Sequence, residues 1–244
     1  MFESLVGPER SERDPMLEVP SASTIKLPLM VEVLRQESQG RLSLTQRHTV
    51  RRELVVGGTG VLQRQVGRTF TTRELLEITL TRSDNTGGNM LIDLVGLESV
   101  NRTMQELGFA RTRLARKFLD LEAQRRGLEN VTSAGDMAGL LRRIYQNDLI
   151  SQSASAEMLR ILQLRGRQPD PTLNYLGRRL TQRPLIAHLN GTLPGIRCDA
   201  GIIEVDGKPY VLAVFLRGQT NESAAEEAIA RLSAQVLTAV LGTR

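Results

Sequence analysis

The chain has 244 residues, 40% hydrophobic and 24% charged, with 3% aromatic content, no Trp and a formal net charge of +5. That is enough for one large core or two packed subdomains, built mainly from Leu, Ile, Val and Ala. A single cysteine, Cys198, excludes an intramolecular disulfide and a cysteine-based metal site, and two histidines are too few for a His cluster.

The N-terminal stretch "MFESLVGPERSERDPM" has no apolar h-region, so no signal peptide is expected. No apolar run reaches the ~18 residues of a membrane span. As written the chain is expected to be soluble and cytoplasmic, or exported if an N-terminal signal has been trimmed. The basic balance comes from arginines scattered singly or in pairs, without a dense basic run. No nucleic-acid partner is expected from them.

In chain order, "FESLV" reads as one brief edge strand. Ser23 to about Gln39 reads as a helix with Leu29, Met30, Val33 and Leu34 on one face, stopped by Gly40. Pro28 falls early enough in it to be tolerated. Residues 41–70 are loop-like, with a glycine cluster in "VVGGTG". Thr71-x-x-Glu74 is a capping box that opens "RELLEITLTR". The helices "NMLIDLV" and "ESVNRTMQEL" follow, closed by Gly96 and Gly108. Ser133-x-x-Asp136 caps "MAGLLRRIY", and "SAEMLRILQL" is one more helix.

From residue 184 the period changes. "LIAHLNG", "CDAGIIEV" and "PYVLAVFL" read as strands, with Asp206-Gly207 as a hairpin turn. The last segment, about Ser223 to Leu241, is an amphipathic helix with Ala225, Ile229, Leu232, Val236 and Val240 on its stripe. This order predicts an α+β fold with an antiparallel sheet. The expected division is a sheet-bearing part at 1–22 and 181–244, a helical part at 23–180, and an active site between them.

Only three lysines stand among 29 arginines: Lys26, Lys117 and Lys208. Lys26 lies three residues after Ser23, one helical turn away on the same face. A serine hydroxyl is a weak nucleophile until a base takes its proton. A buried Lys is able to serve as that base, whereas Arg keeps its proton. A second element, Ser83-Asp84-Asn85, sits in a turn between helices, 60 residues after Ser23.

"ASTIKLPLM", "SDNTGGNMLID" and a late strand entering "LPG" together resemble the class A serine β-lactamases and the related penicillin-binding proteins. The resemblance covers roughly residues 20–240. It implies a serine β-lactamase/transpeptidase-like fold and an acyl-enzyme mechanism on a cyclic amide such as a β-lactam. Ser23 is then the nucleophile, Lys26 its proton relay, and Ser83 the group that passes a proton to the leaving nitrogen. Asn85 binds the substrate side-chain amide. The backbone N–H groups of Ser23 and Thr192 form the oxyanion hole. No cofactor or metal is implied, the partner is a small-molecule substrate, and the oligomeric state is not legible.

The sequence departs from the family pattern in two places. The third motif, Lys-Thr-Gly, aligns with Leu189-Asn190-Gly191, so its Lys is lost; Asn190 keeps a hydrogen-bonding group, and Arg197 is a candidate for the missing charge. The family's deacylating Glu aligns with Phe118, in "TRLARKF". Asp120 and Glu122 are the nearest carboxylates, and Glu122 is the candidate base. The leading expectation is a class A β-lactamase-like serine hydrolase; the departures keep open an alternative, a β-lactam-binding, acyl-trapping penicillin-binding-like protein or an esterase, with weak or no β-lactam turnover.

Overall fold

The computed structural model describes residues 1–182 and 184–242. Arg183, Thr243 and Arg244, part of the 181–244 segment, lie outside the described residues. The elements run β1 (Phe2–Ser4), β2 (Arg10–Ser11), β3 (Val19–Pro20), a 3-10 turn (Ala22–Ile25) and α1 (Lys26–Ser38). Next come β4 (Arg47–Thr49), β5 (Thr69–Thr71), α2 (Thr72–Thr81), α3 (Asn85–Val95), α4 (Leu97–Glu106), α5 (Leu121–Arg125) and β6 (Val131–Thr132). The chain closes with α6 (Ala134–Tyr145), α7 (Gln152–Gly166), β7 (Leu185–Leu193), β8 (Ile196–Val205), β9 (Lys208–Arg217) and α8 (Glu222–Gly242).

Among the described residues, the main sheet has the antiparallel order β2-β1-β9-β8-β7. β8 and β9 turn at Asp206 and Gly207, both at positive φ (50° and 70°), the geometry a tight hairpin turn requires. β1 is the brief N-terminal strand expected from "FESLV"; it pairs with β9, and β2 lies outside it. The loop-like 41–70 segment also carries β4, which pairs with β5.

Strand alternation sorts the core into two faces. Ala187, Leu189, Ala200, Ile202, Val211 and Ala213 join the buried cluster built on α1, α6 and α7. Ile203, Val205, Tyr210, Leu212 and Val214 join the cluster that contains Ile229 and Leu237 of α8.

α8 buries Ala225, Ile229, Ala230, Ser233 and Leu237. Of the expected stripe, Ala225 and Ile229 are in the core, Val236 and Val240 are partly buried against the same cluster, and only Leu232 is exposed. Leu232, Val236 and Val240 also line a groove of about 1130 Å³ with the N-terminal strands and β9.

α1 is buried nearly all round, from Lys26 to Leu34, as befits a helix in the middle of a core. It carries a buried carboxylate, Glu32, which accepts from Arg35, Gln36 and Thr103 at 2.6–3.1 Å. Such pairing is what a buried charge needs. It ties α1 to α4 and holds the helix that presents Lys26. No described helix is long and apolar enough to cross a membrane.

Candidate active site

Ser23 does not lie within the long helix but in the 3-10 turn that leads into it, and Lys26 is the first residue of α1. The turn is held by Thr24 Oγ1 donating to the Ser21 carbonyl at 2.5 Å and by Ser21 N–H donating to the Asn130 carbonyl at 2.9 Å. Lys26 is fully buried. Its Nζ lies 3.0 Å from Ser23 Oγ, 3.1 Å from Ser83 Oγ, 2.9 Å from the Ser83 carbonyl and 3.0 Å from Asn85 Oδ1. Ser83 Oγ donates to Ser23 Oγ at 2.9 Å. The two motifs seen in sequence therefore meet in one hydrogen-bonded triangle.

Burial foremost, and the charge of Arg165 after it, pull the Lys26 pKa from 10.5 down to about 7, with Asp84 acting in the opposite sense. Near neutral pH, Lys26 thus holds a substantial neutral fraction able to accept a proton. Three non-glycine residues around the cluster have left-handed backbones: Ala22 (φ 47°), Ser83 (φ 52°) and Leu119 (φ 59°). Such strain costs roughly 1–3 kcal/mol per residue and gathers at functional sites.

Asp84 builds the turn that carries Ser83 and Asn85. It caps α3 by accepting from Gly87 N–H at 2.8 Å, and its other oxygen accepts from Val61 and Leu62 N–H at 2.5 and 2.8 Å. The glycine cluster is explained here. Gly60 (φ 131°) passes so close to Asp84 that an added Cβ would lie 2.8 Å from its Cα. Asn85 N–H donates to the Thr59 carbonyl at 3.1 Å, which fastens the loop to the turn.

Phe118 is the residue that the sequence pattern sets against the family's Glu. Its ring lies over Lys26, 4.5 Å from Nζ to the ring centroid. Asn89 pins its backbone, accepting from Phe118 N–H at 2.8 Å and donating to the Phe118 carbonyl at 3.0 Å. Gly88 leaves room for the ring: an added Cβ there would lie 2.6 Å from it.

Glu122 is not brought to the cluster. It lies in α5 with its side chain 75% exposed, paired at 3.5 Å with Arg126. Asp120 is used as the N-cap of that helix and accepts from Ala123 N–H at 2.9 Å. A short helix turns both carboxylates to structural or solvent-facing tasks.

On β7, Gly191 runs against the nucleophile turn; an added Cβ would lie 2.8 Å from Ser23 N. Leu189, on the same strand face, is buried in the helical core. Asn190 faces the other way. Its Oδ1 accepts from Arg165 and its Nδ2 donates to the Thr172 carbonyl at 2.9 Å. Thr192 Oγ1 lies 2.8 Å from Tyr175 Oη.

Arg197 is not free for the cleft, because it is paired with Glu222 and Glu226 at the start of α8. His188 Nδ1 lies 2.8 Å from Asp199 Oδ1, and both side chains are buried within the sheet layer. Cys198 is buried under Gly191 with its thiol pushed up by burial.

Sequence reasoning missed Arg165. The residues Ala154, Met158, Ile161 and Leu162 form the buried stripe of α7, and Arg165 continues it. An arginine on an apolar stripe is the signal that marks it. Burial lowers its pKa to about 10, with Asp199 and Asp170 acting to raise it, so it remains charged at neutral pH.

A family model described as the beta-lactamase enzyme family matches residues 1–240. Extended-spectrum beta-lactamase PER-1 of Pseudomonas aeruginosa is 28% identical over 91% of this chain and 75% of its own length. Beta-lactamase L2 of Stenotrophomonas maltophilia is 30% identical over 63% of this chain and half of its own length. Among solved structures, a beta-lactamase from Sphaerobacter thermophilus superposes with a TM-score of 0.88 at 30% identity, covering 98% of this chain and 89% of that one. PBP-A, in a mutant that is an acyl-enzyme complex with penicillin G, superposes with a TM-score of 0.87 at 30% identity, covering 98% and 88%. The match along nearly the whole chain shows that it belongs to the beta-lactamase enzyme family, as a serine hydrolase of the β-lactamase type.

Proposed function

We propose that Ser23 opens a cyclic amide such as a β-lactam, and that hydrolysis of the resulting acyl-enzyme is slow. The observation that carries the first half is the Ser23, Lys26 and Ser83 triangle around an amine with a pKa of about 7. Neutral Lys26 takes the Ser23 proton as Oγ bonds to the carbonyl carbon. The proton then passes through Ser83 Oγ to the ring nitrogen as the C–N bond breaks. Asn85 orients the substrate amide, and the N–H groups of Ser23 and Thr192 hold the oxyanion. The close approach of Gly191 to Ser23 N supports that last role.

Phe118 favours the second half. Deacylation needs a base to activate water, and a phenyl ring stands over Lys26 at the residue that the resemblance sets against the family's Glu. Glu122 is turned to solvent. The buried Leu189 offers no charge to a substrate carboxylate, which favours modest affinity. PBP-A, solved in a mutant as an acyl-enzyme complex with penicillin G, supports the acylation half of this reading.

Intact-mass spectrometry of the protein mixed with penicillin G tests both halves. The expected result is a one-to-one adduct on Ser23 that persists long after free drug is removed. No adduct, or an adduct on another residue, would reject the nucleophile; rapid decay with many turnovers would reject the slow step.

A further inference from the structure

Among the described residues, Arg165 is the largest side chain that is completely buried. A guanidinium so placed is costly unless its position is used. Among the described residues its hydrogen-bond partners are neutral oxygens. Nη1 donates to the carbonyls of Leu80 and Thr81 at 3.4 and 3.0 Å, at the end of α2, and Nη2 donates to Asn190 Oδ1. Its Nε is buried without a partner. Two residues beyond Thr81 lies Ser83, and Asn190 is the neighbour of Leu189, where the family's strand lysine is missing. Arg165 thus joins, from behind, the two walls on which the site is built.

We infer that Arg165 is a positioning residue that takes over from the missing strand lysine: it clamps the end of α2 to β7 at Asn190 and keeps one fixed positive charge behind the Ser23, Lys26 and Ser83 cluster. The inference rests on the reading of Lys26 as the group that takes the Ser23 proton. The charge is offset by Asp199 and Asp170 at a distance, and Arg82 adds to it. At Lys26, Asp84 from the α3 cap opposes Arg165 from α7, and the Phe118 ring covers the remaining side. A second cation nearby disfavours the charged amine, so Arg165 acts with burial to keep Lys26 ready to accept a proton. Arg197, the other basic residue near the motif, is committed to Glu222 and Glu226 and does not fill this place.

The small number of lysines gives a direct test. Protein labelled with 13C-lysine shows three lysine signals, which Lys117→Arg and Lys208→Arg variants assign, and the Lys26 midpoint is read without any substrate. Arg165→Gln keeps hydrogen-bonding groups and removes the charge. The expected result is a rise of the Lys26 midpoint by about half a pH unit or more, with the acylation-rate profile shifted the same way. Asn190→Asp sets a carboxylate against the Arg165 guanidinium and offsets its charge without adding a lysine, and is expected to raise the midpoint as well.

A folded Arg165→Gln protein with an unmoved Lys26 midpoint would overturn the inference. So would a folded Asn190→Asp protein with an unmoved midpoint, a result available even where the Gln variant does not fold. Failure of the catalytic reading is separate: wild-type protein would then take no label at Ser23, whatever the Lys26 signal does.

Discussion

Ser83 Oγ donates to Ser23 Oγ at 2.9 Å, and Lys26 Nζ reaches both hydroxyls. One amine thus contacts the proposed nucleophile and the hydroxyl proposed to deliver a proton to the leaving nitrogen. Ser83→Ala removes the second and spares the first. Acylation by a fluorescent penicillin is expected to fall by about 10²- to 10⁴-fold. The Tm should change little, because Lys26 keeps the Ser83 carbonyl, Asn85 and Ser23 as partners. Acylation at the wild-type rate would show that Ser83 only shapes the turn.

Lys26 links chemistry to stability. In the folded protein it titrates near 7, in place of 10.5. Below pH 7 folded and unfolded chains both hold its proton, and the cost of burying the charge is felt in full. Between about 7 and 10.5 the unfolded chain binds a proton that the folded one lacks, so wild-type stability rises with pH in that window. Lys26→Met has no such proton. Its stability relative to wild type is expected to decline by about 2–3 kcal/mol between pH 7 and pH 9, while acylation is lost at every pH. Urea melts of both proteins across this range provide the check, and parallel stability curves would contradict the buried-amine assignment.

Phe118→Glu puts a carboxylate beside Lys26. The adduct with penicillin G is expected to decay on the order of 10²-fold faster, as a general base becomes available to water. The new anion also favours the charged amine, so the acylation profile should move to higher pH. Loss of the buried ring should cost about 2 kcal/mol or more of stability. Adduct lifetime by intact mass is the readout; an unchanged lifetime means that something other than the missing base limits hydrolysis.

Glu122→Gln makes the opposite case. Its exposed pair with Arg126 contributes little. Adduct formation, adduct lifetime and Tm should all stay at wild-type values, with stability within about 0.5 kcal/mol. A lengthened adduct lifetime would bring Glu122 back as the base.

Features encoded locally were readable in the sequence. The Ser23 and Lys26 spacing, the Thr71 and Ser133 caps and the Asp206-Gly207 turn each depend on neighbours within a few residues, and each stands where its pattern predicts. What escaped depends on distant partners. Arg165 is understood only when α2 and β7 are seen on either side of it. Arg197 looked available beside the third motif until α8 supplied two glutamates. The stripe of α8 stands as its pattern predicts except at Leu232, which is exposed; Ala230 and Ser233, small residues that a periodicity reading passes over, are buried where the helix comes close to the sheet. Glu122 is four residues from Phe118, but a short helix begins between them and turns it away.

The proposed effect of the phenyl ring over Lys26 would also change how this protein is counted. An efficient enzyme clears drug in proportion to time, so a few molecules suffice. A serine that stays acylated clears one drug molecule per polypeptide and then stops. Its capacity is fixed by the number of copies present, and its dose response ends at an equivalence point. Titrating a chromogenic β-lactam into a known amount of protein distinguishes the two: a plateau at one equivalent marks the ring as a stopper, and a signal that keeps climbing marks it as a wall that water gets around.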